Sequence, residues 1–295
     1  MSLARMLQLA VCVVCVDLAG CASIPAGKLE ALKTSTQSVH QSTVDTYARI
    51  ERFQRRFVVT TLPDAPIARD AFKPKIGGQS FDLVPALRLR ESAIEVLAKY
   101  TALLHALATK DYASDIDAAS QELAASIQNL RKIPGGVASE VDSKGLNALS
   151  AVVDSIGRAL MDYKRREALR QAMDLAQGDL EKIASLIARS NDRIRDAARI
   201  MADRILAHAN AARPPYASRE RVAFDNNVAE FLAESEDVEA ALGAINSAAA
   251  KFPAAHSEIR QALDERATSL EALKSLIQEA QRARKFYQGL GTTKG

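Results

Sequence analysis

A run of positions at alternating intervals of three and four residues most constrains the fold of this chain. It is unbroken over residues 28–60, and this spacing places its members along one face of an α-helix. Threonines fill much of its first half, which predicts a weakly packed or wet seam. Its second half, around Phe53, is expected to be core. The seam positions are Leu29, Leu32, Thr36, Val39, Thr43, Thr46, Ile50, Phe53, Phe57 and Thr60.

Similar seams, separated by breaks rich in proline and glycine, continue along the chain. Helices are predicted over 82–110, 114–132 and 218–251, and Pro253 is expected to open the last helix, which ends near Tyr287. Trp is absent, aromatic residues make up only 5% of the chain, and no strand-like alternation of useful length occurs. The sequence therefore predicts an all-α fold, an elongated antiparallel bundle with long coiled-coil-like helices.

The stretch 143–213 contains no proline and leaves two alternatives open. In the first, it forms one helix roughly 100 Å long, with a coiled-coil stammer where the seam slips in phase between Tyr163 and Leu169. In the second, Gly178 and Asp179 provide a C-cap and an N-cap on either side of a tight reversal.

The N-terminus has the three parts of a secretory signal. Arg5 supplies a positive charge, 6–16 is an apolar stretch of eleven residues broken only by Gln8, and small residues precede Cys21. As a helix, the apolar stretch would rise roughly 16 Å, about half the hydrocarbon thickness of a bilayer. We therefore expect this segment to direct export and not to span the membrane.

The end of this leader resembles the lipobox of bacterial lipoproteins. The matching residues are Leu18, Ala19, Gly20 and Cys21. In that class, cleavage precedes the cysteine, so the resemblance implies a diacylglycerol group and an N-acyl chain on Cys21. Ala22, and not an aspartate, follows the cysteine, which by the same resemblance implies outer-membrane anchoring, facing the periplasm or the exterior. The alternative is an ordinary signal peptide in which Cys21 is incidental.

The chain is accordingly expected to have four parts. We predict a lipoprotein signal peptide at 1–20, a lipidated tether at 21–27, a helical-bundle domain at 28–288 with a sub-boundary near 134–143, and a flexible tail at 289–295. The tether spans about 20 Å at most. Beyond the leader, no stretch approaches 18 uncharged apolar residues, so lipid is the expected membrane attachment.

Cysteine and histidine form no recognised catalytic or metal-binding pattern. Cys12 and Cys15 lie in the leader, and no cysteine follows Cys21, which excludes disulfides and thiolate-metal sites there. The histidines never recur at the three- or four-residue spacing of helical zinc sites. We predict no catalytic residue, metal ligand or non-covalent cofactor. Of the four histidines, His105 and His208 are expected in helix interfaces, and His40 and His256 in solvent.

The charged residues indicate helix capping and solubility. Acids cluster without a calcium-loop pattern, and acids near a helix start favour the macrodipole. The net charge of +3 is small for 295 residues, so no nucleic-acid partner is expected. The two acidic clusters are Glu234, Glu236, Asp237 and Glu239, and Asp111, Asp115 and Asp117.

These observations favour a lipid-anchored helical scaffold or adaptor in the cell envelope, with no evident catalytic site. We expect it to engage an envelope protein or a second copy through its heptad seams, for which Thr36, Thr43 and Thr46 are the predicted surface. One alternative is a helical membrane-perturbing protein that resembles pore formers. Another is an envelope enzyme whose acids are assembled from several helices.

Overall fold

The computed structural model describes residues 24–61, 75–76, 79–80, 83–109, 113–133, 149–153, 165–214, 219–264 and 269–288. Over these ranges the fold is all-α, as predicted. Residues 149–153 are helical, and two short strands, β1 (Lys75–Ile76) and β2 (Gln79–Ser80), pair antiparallel. The long helices are α1 (Ala26–Thr61), α2 (Val84–Thr109), α3 (Ala113–Lys132), α4 (Arg165–Ala211), α5 (Arg219–Ala262) and α6 (Glu271–Gln288).

The first three helices begin and end within two residues of their predicted bounds. At the start of α1, the carbonyl oxygen of Pro25 accepts the N–H groups of Lys28 at 3.0 Å and Leu29 at 3.1 Å. Pro85 is the second residue of α2, in the first turn, where an absent N–H breaks no helical hydrogen bond. The N–H of Leu83 donates to Oε1 of Gln54 at 3.2 Å, which fixes the start of α2 against α1.

Both alternatives for 143–213 are wrong. Helix α4 runs unbroken through Gly178 and Asp179, so the chain does not reverse there. The N–H of Leu149 donates to Oδ2 of Asp179 at 3.1 Å, whereas one continuous helix would separate these residues by roughly 45 Å. Residues 149–153 therefore fold back onto α4. The phase slip after Tyr163 coincides with the start of α4 and is not a stammer within one helix.

The C-terminal helices also differ from the prediction. Pro253 lies inside α5 and does not open a helix, and α6 begins only at Glu271. The carboxylate of Glu258 accepts the N–H groups of Ala272 at 2.9 Å and Leu273 at 3.0 Å. An acid on α5 thus satisfies N-terminal amides of α6 and matches their dipole.

Side-chain pairs give the relative directions of the long helices. Gln54, late in α1, contacts the start of α2. Glu30, early in α1, contacts His105 near the end of α2, so the two helices are antiparallel. Helices α4 and α5 are antiparallel for the same reason, because later residues of one meet earlier residues of the other. Their pairs are Asp174 with Arg260, Asp192 with Asn246, and Arg199 with Glu239.

Buried apolar side chains form two clusters. Core A unites the first half of α1, most of α2, and parts of α3, α4, α5 and α6. Core B unites the second half of α1, the start of α2, the second half of α4 and the middle of α5, with the rings of Phe53 and Phe231 5.1 Å apart. Buried polar residues lie between the cores on α1 and α4, where the Tyr47 hydroxyl donates to Oδ1 of Asn191 at 2.7 Å.

The threonines of the α1 seam are interior residues. Thr36, Thr43 and Thr46 are 3%, 0% and 0% exposed. Each hydroxyl donates, at 2.7–2.8 Å, to the carbonyl oxygen four residues earlier. Because this local bond satisfies the hydroxyl, each threonine can be buried without a polar partner on another helix. The prediction that these threonines form a wet seam or a partner surface is therefore wrong.

Candidate functional site

The predicted lipobox, from Leu18 to Cys21, and the predicted tail at 289–295 lie outside the residues that the structure describes. Ile24 packs against core A. Only Ala22 and Ser23 separate Ile24 from Cys21, so the Cα atoms of Cys21 and Ile24 are at most about 11 Å apart. The packed body thus begins closer to Cys21 than the predicted tether implies.

Among the described residues, the imidazole of His256 on α5 is a fully enclosed group that can carry acid-base chemistry. It is 0% exposed. The Tyr100 hydroxyl of α2 lies 2.8 Å from Nε2, and Oε1 of Gln177 on α4 lies 2.7 Å from Nδ1. Three helices therefore meet at one ring, and we call Tyr100, His256 and Gln177 the histidine bridge.

The bonding partners set the proton positions in the histidine bridge. Oε1 of Gln177 can only accept, so Nδ1 carries the ring hydrogen and Nε2 accepts the hydroxyl proton of Tyr100. Burial lowers the pKa of His256 from 6.5 to about 3. Burial also raises the pKa of Tyr100 well above its ordinary value of 10. Both rings are therefore neutral at pH 7.

Ion pairs lie one helical turn from the histidine bridge. Nε and Nη2 of Arg260 donate to the carboxylate of Asp174 at 2.6 and 3.0 Å, and Nη1 donates to Asp264 at 2.7 Å. The hydrogen bond to Asp174 is the main cause that raises the pKa of Arg260. Arg166 donates to the carbonyl oxygen of Leu263. These contacts hold the end of α5 against α4.

The histidine bridge is arranged for holding helices together. A general base needs a lone pair directed at its substrate, but the lone pair of His256 Nε2 already accepts from Tyr100. Both rings are fully buried, and both ring nitrogens are engaged. The bridge therefore links α2, α4 and α5 through hydrogen bonds that replace those the groups would make to water.

The prediction that His256 is solvated is wrong. The sequence contained a usable signal, because His256 lies three residues before Ile259, the first member of the seam predicted for the last helix. It also lies four residues after Phe252, and both neighbours are buried. Extending the seam backwards by one step places His256 in the core. Tyr100 and Gln177, in contrast, come from distant helices that only the fold brings together.

The other histidines occupy different environments. Nε2 of His105 lies 2.7 Å from Oε2 of Glu30, which confirms the predicted position in a helix interface. His208 is exposed, contrary to the prediction. His40 is half-buried, and burial lowers its pKa, so it is less solvated than predicted.

Helix capping and solubility were predicted for the four acids within 234–239; two of them pair with other helices, and Glu236 is exposed, in keeping with solubility. Helix α5 continues through them. Glu234 lies 3.7 Å from Arg52 of α1, and Glu239 accepts from Arg199 of α4 at 2.9 Å. Asp115, from the other cluster, lies in the first turn of α3, where its charge favours the helix dipole.

Glu51 of α1 lies close enough to Glu91 of α2 for their charges to interact. Burial is the main cause that raises the pKa of Glu91 on α2, and the charges of Glu95 and Glu51 add to it. A carboxyl group with a raised pKa is the chemistry that general acids use. The charge of Glu95 also acts on His40 and favours its protonated form. Burial has the larger effect, so the pKa of His40 is lowered.

Among the described residues, no group of three or more His, Cys, Asp and Glu side chains is arranged to hold a metal ion. Across the same part of the chain, no helix combines the length and the apolar character needed to cross a membrane. Comparison with protein families, with curated proteins and with solved structures finds no match for this chain.

Proposed function

We propose that this protein is a lipid-anchored helical scaffold or adaptor of the bacterial cell envelope, held in the outer membrane by acyl chains on Cys21. The observation that carries the proposal is the lipobox-like sequence from Leu18 to Cys21, directly after an apolar run with a positive N-terminal flank. Several acyl chains anchor a protein stably, whereas a single chain binds reversibly.

The packing of Ile24 supports a body held close to such an anchor. With two residues between Ile24 and Cys21, the nearest packed residue lies within about 11 Å of the acylated position. The Glu30–His105 pair places the end of α2 beside the start of α1. A partner of the scaffold would therefore meet this end of the body in the layer next to the lipid headgroups.

The polar contacts between helices support a body of fixed shape. The histidine bridge joins three helices. Two ion pairs, Arg199 with Glu239 and Arg260 with Asp174, link α4 to α5 at separate positions along the helices. A scaffold gains from such contacts, because a preorganised surface loses less conformational entropy when a partner binds.

Metabolic labelling with an alkyne fatty acid tests the anchor. Expressed in a bacterium, the full chain should take up the label and sediment with membranes. Cys21→Ser should lose the label and move to the soluble fraction. Cys15→Ser is the matched control, because it changes a leader cysteine that cleavage would remove, and it should keep the label. A wild-type chain without label, or a labelled Cys21→Ser chain, would contradict lipidation at this residue.

Chemical crosslinking in intact cells tests the scaffold function. A saturable, stoichiometric adduct with one envelope protein or with a second copy is the expected result. The Cys21→Ser chain should lose that adduct, because it is no longer concentrated at the membrane. A lipidated wild-type chain that yields only uncrosslinked monomer would exclude the adaptor function and leave the anchor intact.

A further inference from the structure

The histidine bridge lies where the last part of α5 docks onto two other helices. His256 is flanked on the same face of α5 by Phe252 and Ile259, which are buried in core A. One turn further on, Arg260 pairs with Asp174 of α4. Docking of the segment 252–264 therefore places an imidazole, and not only apolar side chains, in the interior of the protein.

An additional proton has no favourable position in this arrangement. A proton on Nε2 would turn the Tyr100 hydroxyl from donor into acceptor, would leave the hydroxyl hydrogen without Nε2 as its acceptor, and would create a charge at a fully buried site. From α4, the neutral Gln177 and the carboxylate of Asp174 face the ring. Asp174 is engaged by Arg260, whose positive charge opposes the proton.

Among the described residues, the charges that act on His256 are those of Asp174 and Arg260. Tyr100 contributes from α2 only a neutral hydroxyl. Helix α6 packs on α5 through buried apolar residues such as Leu273 and Leu276, and no charge of α1 or α6 is among those that act on the ring. The charges that act on His256 are therefore those of one ion pair, Asp174 with Arg260, which oppose each other in their effect on the ring.

We propose that the histidine bridge is an acid-sensitive latch, in which protonation of His256 releases the segment 252–264 from α2 and α4. The docked segment keeps the ring neutral between its two hydrogen-bond partners. The released segment exposes the ring to water, where the imidazolium is solvated. Acid therefore favours release.

The sign and size of the effect follow from proton linkage. The pKa of His256 is about 3 in the docked state, and its ordinary value is 6.5. Docking is unaffected by pH above 6.5 and weakens by about tenfold for each pH unit below it, until the pH approaches 3. Between pH 6.5 and 4.5, the equilibrium constant for release should rise by about 50-fold, because half of the released imidazole is already protonated at pH 6.5.

Hydrogen exchange on the purified full chain, followed by mass spectrometry, tests the latch. After correction for intrinsic exchange, amides of 252–264 should lose about 50-fold protection between pH 6.5 and 4.5. Amides of 194–205 in core B serve as the internal control and should lose much less. In His256→Gln, which cannot be protonated, the loss should fall below tenfold. The exposed His208→Gln is the matched control and should behave as the wild type.

The latch is overturned if 252–264 and 194–205 lose protection equally in the wild type, or if His256→Gln retains the roughly 50-fold loss expected of the wild type. A second measurement needs no variant. Nitrogen-15 spectra of the wild-type imidazoles should show His256 neutral at pH 5, with its hydrogen on Nδ1. A His256 that titrates near 6.5 while 252–264 stays protected would contradict the proposal even if the variant fails to fold.

Discussion

Oδ2 of Asp179 accepts the backbone N–H of Leu149 at 3.1 Å, across a separation of 30 residues. Asp179 is only 3% exposed, and its other carboxylate oxygen lies 3.5 Å from Nζ of Lys182. Leu149 is the first described residue of the helical segment 149–153. A carboxylate on α4 therefore satisfies a buried backbone N–H of this segment and ties the segment to α4.

Asp179→Ala should destabilise the protein by about 1–2 kcal/mol, because it removes the acceptor of the buried N–H of Leu149. The free energy of unfolding, from urea titration followed by circular dichroism, measures the change. Asp196→Ala is the control, since Asp196 is an exposed acid on the same helix, and its effect should stay within about 0.5 kcal/mol. Equal effects of the two substitutions would show that the hydrogen bond from Leu149 to Asp179 does not stabilise the fold.

Gly178→Ala should stabilise the protein by about 1 kcal/mol. The glycine lies inside α4, and a Cβ atom built on it meets nothing within 4 Å, so the gain in helix propensity is unopposed. A reversal at Gly178 would require a left-handed backbone, and alanine would then destabilise. The sign of the change in melting temperature distinguishes a continuous α4 from a reversal at Gly178. A lowered melting temperature would refute a continuous α4.

Tyr47→Phe should destabilise by about 1–3 kcal/mol, because it leaves Oδ1 of Asn191 buried without its donor. Asn191→Leu alone should also destabilise, since it leaves the Tyr47 hydroxyl unpaired. The double variant should lose less than the sum, with a coupling energy of about 1 kcal/mol or more. A double-mutant cycle by urea unfolding measures this, and strict additivity would show that the two groups do not interact.

Glu91→Gln should stabilise the protein at pH 7 and lose that advantage at pH 4. Burial raises the pKa of Glu91 above 4.5, so the folded protein binds this proton more tightly than the unfolded chain does. The associated stability is present at low pH and is lost as the pH rises through the folded pKa. Urea unfolding at both pH values checks the prediction, with the exposed Glu236→Gln as the control. A gain of equal size at both pH values would exclude the electrostatic cause.

The parts of the fold that local sequence determines were predictable. The three-four spacing predicted α1, and Pro85 marked the first turn of α2. The all-α class follows from the same periodicity, because successive amphipathic helices have to bury their faces against one another. His105 in an interface followed from its place beside an apolar seam, although its partner Glu30 did not.

The parts that depend on distant residues were not predictable. The carboxylate of Glu258 accepts N–H groups at the start of α6, and that of Asp179 accepts an N–H of the segment 149–153; both acids lie on other helices. Pro253 lies inside α5 although proline is the least favourable residue in a helix interior, so propensity alone placed a helix start there wrongly. The threonines of α1 were misassigned because their local hydroxyl bonds permit burial, which hydropathy alone does not predict.

The buried polar pairs restrict how the helices can slide along one another. A seam that repeats every seven residues presents a similar apolar stripe after a shift of about 10 Å, so packing alone tolerates several alignments. Tyr47 with Asn191, and Tyr100 with His256, form at one alignment only. A slide of one heptad would strand these polar groups in the interior, at about 1–3 kcal/mol each. These pairs therefore select one axial alignment of the helices, although the apolar seams are repetitive.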